Sequence, residues 1–187
     1  MNLLVLDLET TGLDSEANGI LSIAAKLYNS NREVVTSFKS NCNPEDAEIN
    51  LGALKVNRFT IETIKSLRSE KDTILHFCDW LLSLKVDGEL VVAGHNVHFD
   101  LSFIKSKLKK YNISGFDQAV SHRVIDTASV GRVLVEAGVL PKNTKISLKD
   151  LVVASGIEYD SERHHSAEYD VNITAKLLFK MIDLLKE

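Results

Sequence analysis

Apolar and polar positions near the start of the chain predict three β-strands. Residues 2–8 form a nearly continuous apolar run, which is the pattern of a buried central strand. Residues 20–28 and 33–40 follow as strands, and the polar turn Asn29-Ser30-Asn31 lies between them. The pattern therefore predicts a β-meander packed beside the first strand.

The rest of the chain alternates helical patterns with two short strands. Ser147 is placed to cap a helix that stops before Gly156. The last helix repeats apolar residues from Val171 to Leu185 at the spacing of one buried face. This order predicts an α/β fold with a mixed sheet, and the 187 residues are expected to form a single domain, 1–187. The segments are helices at 51–56, 60–67, 70–84, 99–111, 127–137, 147–155 and 165–185, with strands at 89–93 and 123–126.

Composition gives information on the cellular environment of the protein and little on its chemistry. Cys42 and Cys78 are the only cysteines, and so widely spaced a pair predicts free thiols in a reducing compartment rather than a disulfide framework or a zinc site. No apolar run resembles a signal segment or a membrane span, so a cytoplasmic protein without a membrane partner is expected. Acidic residues outnumber basic ones, 26 against 22, which argues against tight binding of long nucleic-acid duplexes.

Four lysines stand close together in the predicted helix at 99–111. They are spread around the helix rather than along one stripe, which favours a solvated face over a phosphate-binding one. Trp80, in the preceding predicted helix, is expected to lie in the core. The four lysines are Lys105, Lys107, Lys109 and Lys110.

The candidate chemistry lies in carboxylates at three separated places. Asp7 and Glu9 are two residues apart on the predicted first strand, so their side chains point to the same face. Asp100 lies at the start of the 99–111 helix, and Asp170 lies in the last predicted helix. If these four carboxylates converge, their repulsion requires cations, and paired divalent metals in such a pocket are a known device for phosphoryl transfer. Oxygen ligands of this kind indicate two Mg²⁺ or Mn²⁺ ions rather than zinc.

Two histidine-containing segments accompany these carboxylates. His165 precedes Asp170 by five residues, and a histidine of near-neutral pKa is suited to deprotonate an attacking water. His164 competes for that role. His95 and Asn96 lie in the loop after a predicted strand, where ligands gather in open α/β sheets, and hydrogen bonding that fixes the loop is the alternative.

Together these segments resemble the three motifs of the DEDD 3′–5′ exonuclease superfamily, the DnaQ-like group. They read D-x-E-T-T-G at 7–12, H-N-x-x-F-D at 95–100 and H-x-x-x-x-D at 165–170. The last motif is similar to the histidine subgroup, DEDDh, because position 165 is His, whereas the tyrosine subgroup has Tyr four residues before the final Asp. The resemblance implies an RNase H-like fold with a mixed five-stranded sheet flanked by helices.

The resemblance also implies roles for individual residues. Asp7 is expected to bridge both metal ions. Glu9 and Asp170 are expected to complete the site of one ion, and Asp100 to hold the other. His165 is expected to take the proton from the attacking water, so that nucleoside 5′-monophosphates are released. The residues expected to bind the 3′-terminal nucleotide are Thr10, Thr11, Gly12, Leu13 (as a wedge against the base), Asn96 and Phe99.

Several readings of the substrate and setting stay open. Single-stranded or frayed DNA is favoured, because the opening motif and the layout most resemble the DNA polymerase III epsilon proofreading branch. A 3′–5′ exoribonuclease similar to RNase T or oligoribonuclease would use the same site, since no motif reports contacts to a 2′-hydroxyl. A free-standing enzyme, with a replication or repair partner left open, is expected rather than a replicase subunit, because the chain ends soon after Asp170 and its single glutamine, Gln118, lies outside any convincing clamp-binding peptide. A non-catalytic nucleic-acid-binding module is disfavoured, because all five motif residues are present.

Overall fold

The first strand organises the fold, because it occupies the middle of the sheet. The computed structural model describes residues 2–162 and 166–186. Its strands are β1 (Asn2–Thr10), β2 (Ile20–Tyr28), β3 (Val34–Asn41), β4 (Leu90–Gly94) and β5 (Val124–Asp126). They form one five-stranded sheet in the order β3-β2-β1-β4-β5. Since β1 pairs antiparallel with β2 and parallel with β4, the sheet is mixed and both edges of β1 are covered.

Helices flank this sheet, and together with it they confirm the predicted α/β architecture. None of the helices in the described part of the chain is both long and apolar enough to cross a membrane. The helices are α1 (Leu51–Asn57), α2 (Ile61–Lys65), α3 (Glu70–Ser83), α4 (Val97–Tyr111), α5 (Phe116–Ala119), α6 (Thr127–Glu136), α7 (Leu148–Ala154) and α8 (Ala167–Leu184).

A few element boundaries differ from the predicted ones. β1 continues through Thr10, beyond the apolar run that predicts it. α4 begins at Val97 rather than at residue 99, because Asn96 adopts the left-handed conformation with φ 59° and starts the helix there. The pattern does not predict α5, which has 4 residues and is too short to show a helical period. The predicted start of the last helix at 165 falls outside the described residues, and α8 begins at Ala167.

Alternation along β1 sends its side chains into two different cores. Leu4, Leu6 and Leu8 pack with residues of α3 and α4 on one face of the sheet. Leu3 and Val5 point to the opposite face, where they pack against α8. Residues 7 and 9 continue this second row, because side chains on a strand repeat with a period of two. The strand therefore directs both of its carboxylates towards α8.

Packing on two sides fixes the position of α8. Val171 and Leu178 belong to the core against the sheet, whereas Ile173 and Leu177 belong to a separate apolar cluster with α6 and α7. The predicted apolar face of the last helix is thereby confirmed, except for Leu185, which is 61% exposed. A helix held from two sides presents its first turn in one orientation.

The local capping and core predictions are confirmed. Ser147 caps α7 through its hydroxyl, and Gly156 follows that helix at φ 74°. Cys42 and Cys78 are buried free thiols. Trp80 packs its ring against aromatic side chains of the core.

One of the four lysines contradicts the prediction of a solvated face. Lys107 is 1% exposed, and its Nζ donates hydrogen bonds to the backbone carbonyls of Ser15 and Asn18. The other three lysines are exposed, as predicted. Lys107 lies on the side of α4 that faces the loop after β1, and the spacing of the lysines does not reveal that contact.

Replacing Leu4 with Ala removes a fully buried side chain from β1 and should lower the free energy of unfolding by about 2–5 kcal/mol. Val35→Ala on β3 is the matched control. Val35 is 58% exposed, so its truncation should change that free energy by less than about 0.5 kcal/mol. Urea unfolding followed by circular dichroism measures both variants. Equal effects of the two substitutions would contradict the central position of β1.

Candidate active site

Three carboxylates from two elements meet beside β1. Asp7 and Glu9 project from β1 towards α8, and Asp170 lies in the first turn of α8. A carboxylate oxygen of each lies within 4.8 Å of the others. The structure therefore brings together three of the predicted metal ligands, and the first two share one face of the strand as their spacing predicts.

Asp100 joins these residues from α4. It lies in the first turn of that helix and is 4% exposed. Its Oδ1 accepts a hydrogen bond of 2.9 Å from the backbone N–H of Leu8, which ties α4 to β1 between the two carboxylates of that strand. Among the charged neighbours that raise the pKa of Asp7, Asp100 comes first. We call the four residues the acidic cluster: Asp7, Glu9, Asp100 and Asp170.

Removal from water and mutual repulsion disfavour ionisation of the acidic cluster. The pKa of Asp7 is well above its ordinary value, first because of burial and then because of its three carboxylate neighbours. Burial raises the pKa of Glu9 to about 8, with added repulsion from Asp170 and Asp100. Burial also raises the pKa of Asp100 to about 8, although the hydrogen bond from Leu8 opposes that shift. A bound cation would offset both effects and favour the ionised carboxylates.

An open groove leads along the end of β1 to the acidic cluster, with a volume of about 440 Å³. Leu13, Val56 and Phe99 give the groove apolar surface, and Leu13 is 86% exposed. Glu9 belongs both to the groove and to the acidic cluster. A group bound in the groove would therefore lie next to the carboxylates. The other lining residues are Leu8, Thr10, Gly12, Asn50, Gly52, Ala53 and Asn57.

The turn after β1 separates two of the predicted substrate residues. Thr10 and Gly12 line the groove, and the Thr10 hydroxyl donates to the Gly12 carbonyl at 2.7 Å. Thr11 is fully buried instead. Its hydroxyl donates to the Glu48 carbonyl and accepts a hydrogen bond of 2.9 Å from the backbone N–H of Gly19. Contrary to expectation, the Thr11 side chain supports the turn from inside and is not part of the groove.

Gly12 allows this turn to close. A Cβ at position 12 would lie 2.3 Å from the side-chain oxygen of Asn18. That side chain accepts a hydrogen bond of 2.9 Å from the backbone N–H of Asp14 and donates one of 3.0 Å to the Glu48 carbonyl. A side chain at position 12 would therefore displace Asn18, and with it the loop that carries Leu13.

Asn96, also predicted to bind substrate, is not among the residues that line the groove. Its backbone N–H donates to Oδ1 of Asp126 at 2.6 Å, which joins the start of α4 to the end of β5. His95 has Nδ1 3.0 Å from Oγ1 of Thr127, and burial lowers its pKa. Both residues therefore fix the loop that places Asp100, which is the alternative that the sequence left open.

Two residues that the sequence did not single out help to shape the site. Asn57 lines the groove and donates from Nδ2 to the Thr10 carbonyl at 2.9 Å. Asp126 accepts hydrogen bonds both from the start of α4 and from the first turn of α6. An Asp directly before Thr127-Ala128-Ser129, where a helix is predicted to begin, is a recognisable N-cap signal. No sequence signal marks Asn57, because its contact depends on how α1 packs at the end of β1.

His165 and its competitor His164 lie outside the residues that the structure describes. On the C-terminal side, Ser166 is the N-cap of α8. On the N-terminal side, the backbone N–H of Asp160 donates to the hydroxyl of Tyr169 at 2.7 Å, which ties that part of the chain to α8. The role of His165 as general base stays a prediction from sequence.

Comparison with known proteins decides the family. The model of an exonuclease family, RNase_T, matches residues 4–178. This chain belongs to that exonuclease family. The matched range includes every residue of the acidic cluster, and the predicted membership of the DnaQ-like DEDD exonuclease superfamily is confirmed.

Two relatives with similar sequences are DNA polymerases. The PolC-type DNA polymerase III of Staphylococcus aureus (strain bovine RF122 / ET3-1) is 29% identical over 185 residues, which are 98% of this chain and 11% of the polymerase. The PolC-type polymerase of Caldanaerobacter subterraneus subsp. tengcongensis is 30% identical over 183 residues, which are 98% of this chain and 12% of the polymerase. This chain thus spans 11–12% of the length of these relatives.

Solved structures of exonuclease I share the fold. E. coli exonuclease I in complex with a dT13 oligonucleotide superposes with a TM-score of 0.78 at 19% identity, over 97% of this chain and 41% of that one. The zinc-bound form of the E. coli enzyme with single-stranded DNA gives the same TM-score of 0.78 and the same 19% identity, over 99% of this chain and 41% of that one. The predicted RNase H-like fold is thereby confirmed.

Without metal, ionisation of the acidic cluster should destabilise the fold. Glu9 and Asp100 have a pKa of about 8 in the folded protein, against roughly 4 in an unfolded chain. The folded state binds these protons more tightly than the unfolded chain does, so protonation of the two carboxylates stabilises the fold. This stabilisation is fully present below about pH 4 and is lost as the pH rises towards about 8. Mg²⁺ competes with protons for the carboxylates, so it should raise the Tm more at pH 8 than at pH 6. Thermal melts in EDTA and in saturating Mg²⁺ measure the difference.

Asp7→Asn is the matched control for that experiment. It removes one repelling charge, so it should raise the Tm in EDTA and reduce the shift that Mg²⁺ produces. A Mg²⁺ shift that is independent of pH in the unmodified protein, or unchanged in Asp7→Asn, would contradict a metal site in the acidic cluster.

Proposed function

We propose that this chain is a 3′–5′ exonuclease that removes single nucleotides from the 3′ end of single-stranded DNA, with two divalent metal ions as cofactors. The junction at Glu9, where the groove meets the acidic cluster, carries the proposal. A terminal nucleotide in the groove would bring its phosphodiester beside the carboxylates. The groove volume of about 440 Å³ lies within the range of small-ligand sites in proteins.

The acidic cluster fits divalent cations as partners. It offers only carboxylate oxygens, which are ligands for hard ions such as Mg²⁺ and Mn²⁺. The raised pKa values of Asp7 and Glu9 indicate a site where ionised carboxylates need a compensating charge. In this proposal Asp7 would bind both ions, Glu9 and Asp170 would complete the site of one ion, and Asp100 would hold the other.

The groove residues orient the substrate. Such ions, when bound, polarise phosphate oxygens and make a bound water more acidic. Leu13 and Phe99 offer apolar surface to the terminal base, a contact that tolerates any base because every base has an apolar face. Thr10, whose carbonyl is held by Asn57, fixes the wall of the groove next to Glu9.

His165 is the proposed general base. One of its ring nitrogens takes a proton from the attacking water, and the water oxygen forms a bond to the terminal phosphorus. The bond from phosphorus to the 3′ oxygen of the preceding nucleotide breaks, that oxygen takes a proton from solvent water, and His165 returns its proton to solvent. The products are a nucleoside 5′-monophosphate and a strand shortened by one residue that ends in a 3′-hydroxyl.

The relatives favour DNA over RNA as substrate. Those with similar sequences are named DNA polymerases, and the exonuclease I structures contain deoxyribonucleotide strands. The association with DNA is a property of those proteins. Because relatives in sequence and relatives in fold share this association, DNA is the better-supported substrate for this chain.

Matched 5′-labelled single strands of DNA and RNA test the substrate. With Mg²⁺ or Mn²⁺, the DNA strand should shorten one nucleotide at a time from its 3′ end, and EDTA should stop the reaction. Asp7→Asn, which removes a carboxylate that both ions share, should abolish the ladder. Gel electrophoresis of a time course reads each result.

Faster shortening of the RNA strand would replace the DNA proposal with an exoribonuclease. Absence of shortening on both strands, with unmodified protein and Asp7→Asn indistinguishable, would overturn the nuclease proposal.

His165→Ala should lower kcat by about 10²–10⁴-fold, the range for loss of a positioned general base. The thermal shift that Mg²⁺ produces should persist in this variant, because His165 is not a proposed metal ligand. His164→Ala is the neighbouring control and should keep a kcat near that of the unmodified protein. A larger loss in His164→Ala than in His165→Ala would assign the proton transfer to His164.

A further inference from the structure

A buried ammonium group holds the loop that carries Leu13. Lys107 is 1% exposed, and its Nζ donates hydrogen bonds to the carbonyls of Ser15, at 2.8 Å, and Asn18. The Ser106 hydroxyl donates to the same Ser15 carbonyl at 2.7 Å. Residues 11–19, which we call the Leu13 loop, therefore turn backbone carbonyls inward onto α4. A buried ammonium is costly unless it is hydrogen-bonded, so these carbonyls are what make its burial tolerable.

The same helix contributes another part of the groove. Phe99, Phe103 and Lys107 are spaced four residues apart on α4 and therefore lie on one face. The ring centres of Phe99 and Phe103 are 5.0 Å apart, and Nζ of Lys107 lies 5.8 Å from the centre of the Phe103 ring. Phe99 lines the groove, whereas Lys107 binds the loop that brings Leu13 to the same groove. One face of α4 thus sets two sides of the groove.

A second buried charge holds the end of the Leu13 loop. Glu70 is fully buried and accepts hydrogen bonds from the backbone N–H of Ile20, at 2.6 Å, and from the hydroxyl of Tyr111. Ile20 begins β2 directly after the loop. Burial lowers the pKa of Lys107, and the negative charge of Glu70 opposes that shift. Lys107 and Glu70 therefore anchor the middle and the end of the loop from α4 and α3.

Backbone contacts of the loop must determine the position of Leu13. Its side chain is 86% exposed, so packing of the side chain itself contributes little to its position. Lys107 is not among the groove-lining residues or the acidic cluster. Lys107 therefore acts on the groove indirectly, through its hydrogen bonds to the loop and through the Phe103 ring that packs against Phe99.

We propose that Lys107 is a positioning residue that sets the width of the groove, and hence the affinity for the 3′-terminal nucleotide, by holding the Leu13 loop against α4. The proposal rests on the proposed exonuclease function. It separates two contributions within one helix, because Asp100 at the start of α4 belongs to the acidic cluster, whereas Lys107 controls only the groove.

Lys107→Met tests the proposal, because it keeps an unbranched side chain only one atom shorter and removes every donor. The KM for a short single-stranded oligothymidylate should rise roughly 10- to 100-fold, the order of effect expected from a small misplacement of a binding group. The kcat at saturation should stay within about twofold, since bound substrate would react as before. Ser106→Ala removes one donor to the same carbonyl and should raise the KM by a smaller factor. Lys105→Met is the control on the same helix, because Lys105 is exposed and lies outside the groove.

Three measurements are made on each variant. Steady-state kinetics under saturating Mg²⁺ separate KM from kcat. Thermal melts with and without Mg²⁺ report folding and metal binding, and the Mg²⁺ shift should be the same in all variants. Amide hydrogen exchange without nucleic acid reports the loop itself, and residues 11–19 should exchange faster in Lys107→Met than in Lys105→Met.

A folded Lys107→Met with unchanged KM and unchanged loop exchange would overturn the proposal, as would a loss confined to kcat. If Lys107→Met does not fold, Ser106→Ala decides the question. The proposal would then be overturned if Ser106→Ala shows the same KM and the same loop exchange as the unmodified protein. If the unmodified protein cleaves no nucleic acid, the proposed function fails. The exchange measurement then still tests whether Lys107 holds the loop, and equal exchange in the two lysine variants would show that it does not.

Discussion

Electrostatic repulsion within the acidic cluster is the constraint on which the rest of the structure depends. Carboxylates that are partly removed from water repel one another, and burial raises the pKa of Glu9 to about 8. The protein holds them together because each stands on an element that is fixed by packing elsewhere. β1 is paired on both edges, α8 is packed on two sides, and a backbone hydrogen bond joins Asp100 to β1. The free energy of core burial thus maintains an arrangement of charges that a divalent cation would favour.

The groove follows a different principle, because backbone hydrogen bonds shape it more than side-chain packing does. Thr11 is buried beneath the turn, and Asn18 occupies the space that Gly12 leaves open. Lys107 binds two inward-facing carbonyls of the loop. These contacts leave Leu13 exposed at the groove, where a terminal base would meet it. Helix α4 links the two halves of the site, since it carries a residue of the acidic cluster in its first turn and a lysine that binds the loop.

Similarity in fold extends further than similarity in sequence. Exonuclease I shares the backbone arrangement with a TM-score of 0.78 although only 19% of the aligned residues are identical. The apolar period of β1 and the two-sided burial of α8 need residues of suitable character at given positions, and many sequences meet that need. The groove and its loop depend on particular contacts, such as those of Asn57 and Lys107, so they are the parts of the site in which properties specific to this chain reside.

The sequence by itself determined the elements whose cause is local. Apolar periodicity located every strand and the longer helices, and the period of two on a strand placed Asp7 and Glu9 on one face. The motifs identified the exonuclease superfamily. Only the tertiary structure decided which residues at a distance along the chain meet. It brought Asp170 to Asp7 and turned Thr11 inward, away from the groove. It buried Lys107 against a loop, and the spacing of residues along the helix does not reveal that contact. Periodicity describes a residue relative to its neighbours along the chain, whereas these contacts depend on how separate elements pack, and that packing is a property of the whole fold.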